Sequence, residues 1–211
     1  MKSEERRDFD KGSSQWDADL SRVKMANGVA EAIIREVSLS KDMNVLDFGC
    51  GTGLVALRLQ PLVGAITGAD SSPGMLAVLE EKIRAQGITN IRTVFADFEK
   101  GDRIGEKFHL IVCSMTLHHV PDTAALFRLW HEMLLPGGYL CLADLDTEDG
   151  SFHSDKTGVF HLGFERKHLR RSLHETGFSE VRDTTATTMS REVAGKGKRE
   201  FPVFLIVARK L

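Results

Sequence analysis

The sequence predicts an α/β fold with a doubly wound, mostly parallel sheet. Short apolar runs alternate with amphipathic helical patterns, most of the runs lack polar alternation, and proline and glycine mark the boundaries. Strands that helices cover on both faces of a sheet read as continuous apolar runs. The order of strands and helices is therefore that of a doubly wound sheet.

Five apolar runs are predicted to be strands of this sheet. They cover residues 44–48, 65–69, 91–96, 110–114 and 139–145. Apolar residues recur at three- and four-residue intervals over residues 21–37, 73–86, 123–135 and 166–175, which predicts helices there. Pro73 suits a first helical turn, and Pro136-Gly137-Gly138 indicates a turn after residue 135.

Two more strands are predicted near the end of the chain, at 181–189 and 201–209. The loop between them, about 190–200, is too short for a helical crossover. We therefore expect the last two strands to be antiparallel neighbours.

Composition limits the possible functions. The chain has 211 residues, of which 42% are apolar and 27% charged, as expected of one globular domain. Its 28 Lys and Arg against 30 Asp and Glu lack the basic excess of a nucleic-acid binder. Three cysteines without CxxC spacing suit a reduced cytoplasm. The charged N-terminus and the lack of long apolar runs predict neither secretion nor membrane insertion.

The stretch VLDFGCGTGL, residues 45–54, is the strongest functional signal. Gly49, Gly51 and Gly53 follow a predicted buried strand, and a helix is predicted to begin near Thr52, so an anionic group could approach the loop backbone. A dinucleotide fingerprint needs glycine at the sixth position of GxGxxG, where this chain has Leu54. A nicotinamide oxidoreductase is therefore the last of the candidates.

Acidic residues end three successive predicted strands. Asp47 lies beside the glycine loop, where it would repel phosphates and attract an ammonium group. Asp70 follows at the spacing of about 20 residues expected of a ribose-binding acid. Asp97 could accept the adenine amino group, with Met75 and Phe98 packing on the purine. Singly each could be a turn, a cap or a solvated acid, but together they favour a site for S-adenosylmethionine.

Several motifs resemble those of the class I S-adenosylmethionine-dependent methyltransferases: VLDFGCGTG, GADSSPGML, ADF, FHLIVCSMTLHHVPD and LLPGGYLCLAD. The likeness covers residues 45–211, and LHHV and PGG are similar to the ubiquinone and menaquinone biosynthesis type. The resemblance implies a Rossmann-like seven-stranded sheet with an antiparallel last strand, S-adenosylmethionine as cofactor and S-adenosylhomocysteine as product. The cofactor contacts it implies are Asp47, Gly49, Cys50, Gly51, Gly53, Asp70, Ser71, Met75, Asp97, Phe98 and Ser114.

The resemblance also implies an organisation within one domain. Residues 1–40 would form an arm and helix that act as a lid over cofactor and substrate, and residues 41–211 the methyltransferase domain. In FDKGSSQWD, Trp16 would be an apolar lid residue, although a plain packing role is an equal alternative. After Asp97 the chain reads FEKGDRIGEK where relatives have a Leu-Pro-Phe-like segment, so the adenine edge is less fixed than the ribose.

Acceptor contacts are expected beyond the carboxyl ends of the fourth and fifth strands. The candidate catalytic residues there are His118, His119, Asp146 and His161. His118 or His119 could serve as a general base if the acceptor carries a proton. Adjacent side chains seldom point into one site, so we expect one of the two to pack against the turn and the other to be solvated.

The segment DLDTEDGSFH, residues 144–153, could hold a hard divalent cation, but a solvated acidic loop explains it better and no metal site is predicted. The sequence thus favours a cytoplasmic methyltransferase acting on a small molecule, with no nucleic-acid or membrane partner. Two alternatives stay open. One is a non-catalytic S-adenosylmethionine-binding protein, and the other is a tRNA or protein methyltransferase whose basic clusters line the crevice.

Overall fold

A computed structural model describes residues 7–211, apart from the Glu99 side chain; the first six residues of the predicted arm lie outside it. One seven-stranded sheet has the order β3-β2-β1-β4-β5-β7-β6. The strands are β1 Asn44–Phe48, β2 Ala65–Asp70, β3 Ile91–Phe95, β4 Phe108–Ser114, β5 Leu134–Leu145, β6 Ser179–Val193 and β7 Gly197–Arg209. The α-helices are α1 Leu20–Glu36, α2 Ala56–Leu59, α3 Pro73–Ala85, α4 Thr123–Met133 and α5 Arg166–Thr176.

Strand directions confirm the predicted fold class. The five strands β1 to β5 pair in parallel, and β7 runs antiparallel to both of its neighbours, β5 and β6. The sheet is therefore Rossmann-like and doubly wound, with an antiparallel last strand. None of the described helices is long and apolar enough to cross a bilayer.

Two hydrophobic clusters cover the faces of the sheet. One contains the buried faces of α1 and α2, and the other contains those of α4 and α5. Trp130 and Phe127 of α4 are fully buried, and burial of each such side chain contributes roughly 1.5–3 kcal/mol. Trp130 meets Phe48 of β1 edge to face, with ring centroids 5.2 Å apart, so the core reaches the carboxyl end of β1.

The predicted start of the helix after the glycine loop was wrong. Gly51 and Gly53 have φ values of 52° and 80°, a left-handed backbone that a right-handed helix cannot contain. The chain makes a further turn before α2, which spans only Ala56–Leu59. The loop thus offers its own amides rather than those of a long helix.

Two other boundaries differ from the prediction. The glycine pair after Pro136 lies inside β5, because Leu134 already pairs with Phe108 before regular pairing resumes at Tyr139. The β6–β7 hairpin is tighter than the predicted loop 190–200, since Glu192 pairs with Lys198 and the strands end at Val193 and Gly197.

Candidate active site

A cavity of about 670 Å³ opens at the carboxyl ends of the parallel strands. Its lining includes residues that follow β1, β2, β3 and β4, together with parts of the N-terminal arm, β6 and the segment 152–160. β1 and β4 are neighbours at the point where the strand order reverses, which is where doubly wound sheets bind ligands. The volume lies in the range of small-molecule sites.

The three loop glycines have different surroundings. A Cβ on Gly49 would come within 2.4 Å of Thr116 Oγ1, and one on Gly53 within 2.3 Å of Leu79 Cδ1. A Cβ on Gly51 would meet nothing within 4 Å. Gly49 and Gly53 therefore allow close packing, whereas Gly51 leaves space beside the cavity that it lines.

Asp47 is a buried carboxylate with an unsatisfied oxygen. It is 3% exposed, and its Oδ2 has no hydrogen-bond partner. Burial, and to a lesser extent the charge of Asp70, raises the pKa of Asp47 to about 7. Ser114 Oγ, at the end of β4, is also buried without a partner. Both residues line the cavity, so a ligand with hydrogen-bond donors and a positive charge would satisfy them.

Asp70 is held rigidly at the end of β2. The Gly51 N–H donates to its Oδ2 at 2.8 Å, and the Ser72 N–H donates to its Oδ1 at 2.9 Å. Burial is the main cause that raises its pKa above the ordinary value. Because each carboxylate oxygen can accept a second hydrogen bond, Asp70 can still receive a pair of ligand hydroxyls.

Asp97 already has partners within the protein. It caps the turn Phe98–Lys100, accepting from the Lys100 N–H at 3.3 Å, and its Oδ2 lies 3.0 Å from Lys100 Nζ. The Phe98 ring packs on Phe48 with centroids 4.6 Å apart. Phe98 and Met75 both line the cavity, as expected of side chains that pack on a purine.

His118 forms a buried pair with Asp144 of β5. Its Nδ1 lies 2.7 Å from Asp144 Oδ1, and its backbone N–H donates to Asp144 Oδ2 at 3.2 Å. Since a carboxylate accepts, Nδ1 carries the hydrogen, and Nε2 is then the proton acceptor of the neutral ring. Asp144 thus fixes both the tautomer and the orientation of a ring that lines the cavity.

Two further histidines accompany His118. His119 donates from Nδ1 to the Gly158 carbonyl at 2.6 Å, and burial lowers its pKa to about 4. Burial likewise lowers the pKa of His153 to about 3, and its Nε2 is buried without a partner. The His118 ring lies 4.2 Å from His119 and 4.9 Å from His153, so all three are grouped at the cavity.

Arginine and aromatic side chains line another part of the cavity. The aromatic ones are Phe9, Trp16 and Phe152, and the cations are Arg7, Arg22 and Arg191. Contacts link them to the histidines: Phe9 packs against His119 at 5.1 Å and Phe152 against His153 at 4.8 Å. We term this side the basic half, and the side with Asp47, Gly51, Asp70, Asp97 and Phe98 the acidic half.

The N-terminal arm is fastened over the acidic half by two carboxylates. Asp10 Oδ1 accepts from Ser72 Oγ at 2.5 Å and from the Gly74 N–H at 2.8 Å, at the start of α3. Asp17 accepts from Thr52 Oγ1 at 2.6 Å and pairs with Lys82. The 3₁₀ segment Asp10–Ala18 is thereby tied to the glycine loop and to α3.

Comparison with known proteins identifies this architecture. Residues 45–138 match the methyltransferase domain family. An uncharacterized methyltransferase of Schizosaccharomyces pombe is 36% identical over 135 residues, covering 57% of this chain and 48% of that protein. A demethylmenaquinone methyltransferase of Geobacillus kaustophilus is 29% identical over 140 residues, covering 64% of this chain and 60% of that protein. Residues 45–138 belong to the methyltransferase domain family, and the chain resembles the class I S-adenosylmethionine-dependent methyltransferases.

Within that class, this methyltransferase resembles the quinone-biosynthesis type, as its likeness to the menaquinone enzyme indicates. It matches only about half to three fifths of the length of these two relatives. Phosphoethanolamine N-methyltransferase 2 of Haemonchus contortus, solved with S-adenosyl-L-methionine, aligns with a TM-score of 0.70 at 15% identity. The alignment covers 96% of this chain and 60% of that one, and it shows a shared fold.

Most of the predicted cofactor contacts of this methyltransferase converge on one cavity. The ones that line it are Asp47, Gly49, Cys50, Gly51, Asp70, Ser71, Met75, Asp97, Phe98 and Ser114. Gly53 packs against α3 instead. The roles of these residues, and the division of the domain at residue 40, stay predictions.

The candidate catalytic residues divide into two groups. His118 and His119 both line the cavity, so the expectation that one would be solvated was wrong: Asp144 holds the first ring and the Gly158 carbonyl the second. Asp146 and His161 lie outside the lining, as Asp146 binds Arg166 through two 2.6 Å hydrogen bonds and His161 Nε2 donates to the Val120 carbonyl at 2.9 Å.

The candidate catalytic residues did not include His153, and sequence reasoning missed the four arginines of the lining, Arg7, Arg22, Arg103 and Arg191. His153 was expected to lie in a loop near the acceptor, within the acidic segment 144–153, but it was given no catalytic role. Acids of that segment form ion pairs within the protein. Asp144 pairs with His118 and Asp146 with Arg166, and Asp149 pairs with Lys196 and Arg199. Nothing in the local sequence around the arginines signals that they share a cavity.

Proposed function

We propose that this chain transfers a methyl group from S-adenosylmethionine to a small organic acceptor bound in the basic half of the cavity. The observation that carries the proposal is Asp47, a buried carboxylate with an unsatisfied oxygen at the glycine loop. The cofactor's ammonium would pair with Asp47, and its ribose hydroxyls would bind Asp70. Phe98 and Met75 would pack on its adenine, which leaves Asp97 to cap the turn beneath it.

The chain's own part in the reaction is alignment and, where needed, proton removal. S-adenosylmethionine supplies a methyl group on a positively charged sulfur. His118 can accept a proton at Nε2 from an acceptor hydroxyl or amine, because Asp144 keeps the hydrogen on Nδ1. The partner of His119 Nδ1 is the neutral Gly158 carbonyl rather than a carboxylate that could stabilise a protonated ring. We therefore assign proton removal to His118.

The acceptor and the setting are part of the same proposal. A cavity of about 670 Å³ accommodates a small acceptor beside the cofactor, which favours a small molecule over RNA or protein. Three buried free cysteines suit the reducing cytoplasm. We propose neither a nucleic-acid nor a membrane partner.

The test begins with calorimetric titration of the full chain with S-adenosylmethionine and S-adenosylhomocysteine. The protein is then incubated with methyl-labelled cofactor and a library of small hydroxylated, amino and carbon acceptors. We expect micromolar binding of both cofactor forms and label in at least one small molecule. The doubly substituted Asp47→Asn, Asp70→Asn protein should fail both parts, and Asp42→Asn, exposed and distant from the cavity, should pass both.

The outcomes separate the alternatives. Binding without transfer to any acceptor would favour a non-catalytic S-adenosylmethionine-binding protein. Label in an RNA or protein fraction but in no small molecule would favour the macromolecular alternative. Failure to bind either cofactor form would overturn the proposal.

A further inference from the structure

Three arginines from separate parts of the chain meet in the basic half. Arg7 precedes the 3₁₀ segment Asp10–Ala18, Arg22 lies on α1 and Arg191 lies on β6. All three line the cavity. Burial is the main cause that lowers the pKa of Arg191; the charge of Asp19 opposes this shift, and the charges of Arg22 and Arg7 add to it. Like charges brought together beside a partly buried cavity raise the energy of the ligand-free protein, and an anion placed among them would lower it.

Arg191 is a partly buried member of this cluster with a donor that has no partner. Arg22 pairs with Asp19, with Nε 3.3 Å from Oδ2, whereas within residues 7–211 no carboxylate forms a salt bridge with Arg191. Arg191 Nη1 donates to the Phe152 carbonyl at 3.1 Å, but its Nε is buried and has no acceptor. The guanidinium lies 4.1 Å from the Phe152 ring centre, which fixes its orientation.

Flat and apolar side chains share the basic half with Arg191. Phe9 and Trp16 pack edge to face with centroids 6.0 Å apart, and Met25 and Met189 are buried side chains of the same lining. Aromatic and thioether groups of this kind pack well on a planar ligand. His119 and His153 have pKa values of about 4 and 3, so they are uncharged at neutral pH.

The lining carboxylates do not neutralise this cluster. Asp47, Asp70 and Asp97 belong to the acidic half. Asp122 lies on the exposed rim, where it caps α4 by accepting from the Ala125 N–H at 2.9 Å. Within the described lining, the basic half therefore has three arginines and no carboxylate, and Asp19 beside it pairs with Arg22.

We propose that Arg191, with Arg7 and Arg22 beside it, binds an oxyanion carried by the methyl acceptor, whose flat apolar body packs between Phe9 and Phe152. The inference rests on the proposed methyltransferase function and adds the chemical class of the acceptor. A guanidinium presents paired donors that match the oxygens of a carboxylate or a phosphate monoester. An uncharged acceptor of the same shape would leave the cluster unpaired.

The test uses the full chain saturated with S-adenosylhomocysteine and calorimetric titration with matched planar probes. These are 2-naphthoate, 2-naphthyl phosphate and 2-naphthamide, with benzoate and benzamide as a smaller pair. We expect at least one anion to bind about tenfold more tightly than its amide, as for a hydrogen-bonded charge pair. The two naphthyl anions distinguish a carboxylate from a phosphate as the group recognised.

Substitutions then assign the effect to Arg191. Arg191→Gln should weaken the preferred anion about tenfold and leave both the amide and S-adenosylhomocysteine unchanged. Lys198→Gln removes the same charge from β7 outside the cavity and should change none of the three. Arg191→Lys keeps the charge and should retain part of the preference, so the test survives if the glutamine variant fails to fold.

The results distinguish this inference from the function on which it rests. If the unsubstituted chain does not bind S-adenosylhomocysteine, the proposed function fails. If it does bind but no anion exceeds its amide, or Arg191→Gln weakens anion and amide equally, only the present inference is overturned. The inference is also overturned if Arg191→Gln weakens S-adenosylhomocysteine while the anion preference persists, because Arg191 would then bind the cofactor's carboxylate.

Discussion

The two halves of the cavity are built in different ways. The acidic half comes from consecutive segments, each directly after a parallel strand, so its members are positioned by the sheet. The basic half is assembled from the arm, α1, β6 and the segment 152–160. Under the proposed function, the sheet therefore positions the cofactor side, and segments distant in sequence position the acceptor side.

The largest expected effect lies where the two halves meet, at the His118–Asp144 pair. For an acceptor that loses a proton, His118→Ala should lower kcat about 10²- to 10⁴-fold, the usual contribution of a general base. Asp144→Asn should lower kcat about 10- to 100-fold through the wrong tautomer, with little change in KM. Steady-state kinetics measure both.

His161→Ala is the matched control for this prediction, since His161 lies outside the cavity lining. It should keep kcat within a few-fold of the original. An unchanged kcat in His118→Ala would show that His118 is not the general base of the reaction.

The next largest effect should be confined to the acidic half. Asp70→Asn should weaken S-adenosylhomocysteine binding about 100-fold, because asparagine keeps only one acceptor oxygen and a hydrogen bond to a charged group contributes about 1.5–3 kcal/mol. Calorimetry measures the change, with Asp42→Asn as the control. If Arg191→Gln weakened S-adenosylhomocysteine binding equally, the basic half would also bind the cofactor, and the two halves would not have separate roles.

Asp47 gives the acidic half a pH dependence. Its pKa is about 7 in the free protein, so below pH 7 it is protonated and must lose that proton to pair with an ammonium. S-adenosylhomocysteine affinity should therefore fall as the pH drops from 7 to 5, by up to about tenfold per unit, and level off above 7. Asp47→Asn should flatten the curve, and a curve of unchanged slope in that variant would contradict the assignment.

The same raised pKa affects stability with the opposite trend. The folded value of about 7 exceeds the ordinary value of 3.8, so folding favours the protonated form. The stabilising contribution of this group is full below about pH 4 and is lost as the pH rises to about 7. Urea unfolding of the free protein should show that its free energy of unfolding falls over this pH range relative to that of Asp47→Asn. Saturating cofactor should reduce this fall.

The smallest expected effect concerns the arm. Asp17→Ala removes the hydrogen bond to Thr52 and the pair with Lys82, partly exposed contacts that together stabilise the closed arm by about 1 kcal/mol. Hydrogen exchange over residues 10–18 should speed up about fivefold, and the cofactor KM should rise a few-fold. Asp8→Asn, whose pair with Lys11 is local to the arm, should change neither.

Sequence predicts the fold and the acidic half well because both depend on local signals. Apolar runs and helical periodicity place the strands and helices, and residues that end parallel strands must meet at one edge of the sheet. The short α2 could not be foreseen, since it depends on the φ values of Gly51 and Gly53. Arg7, Arg22 and Arg191 are far apart in sequence and share no period, so only the folded chain brings them together.

The position of β7 has a consequence for how the protein is made. β7 lies between β5 and β6, and β6 pairs with β7 alone. During synthesis β6, with Arg191, emerges first and has no strand to join until residues 197–209 leave the ribosome. The acidic half can thus form while translation continues, whereas the basic half is complete only after β7 has inserted between β5 and β6.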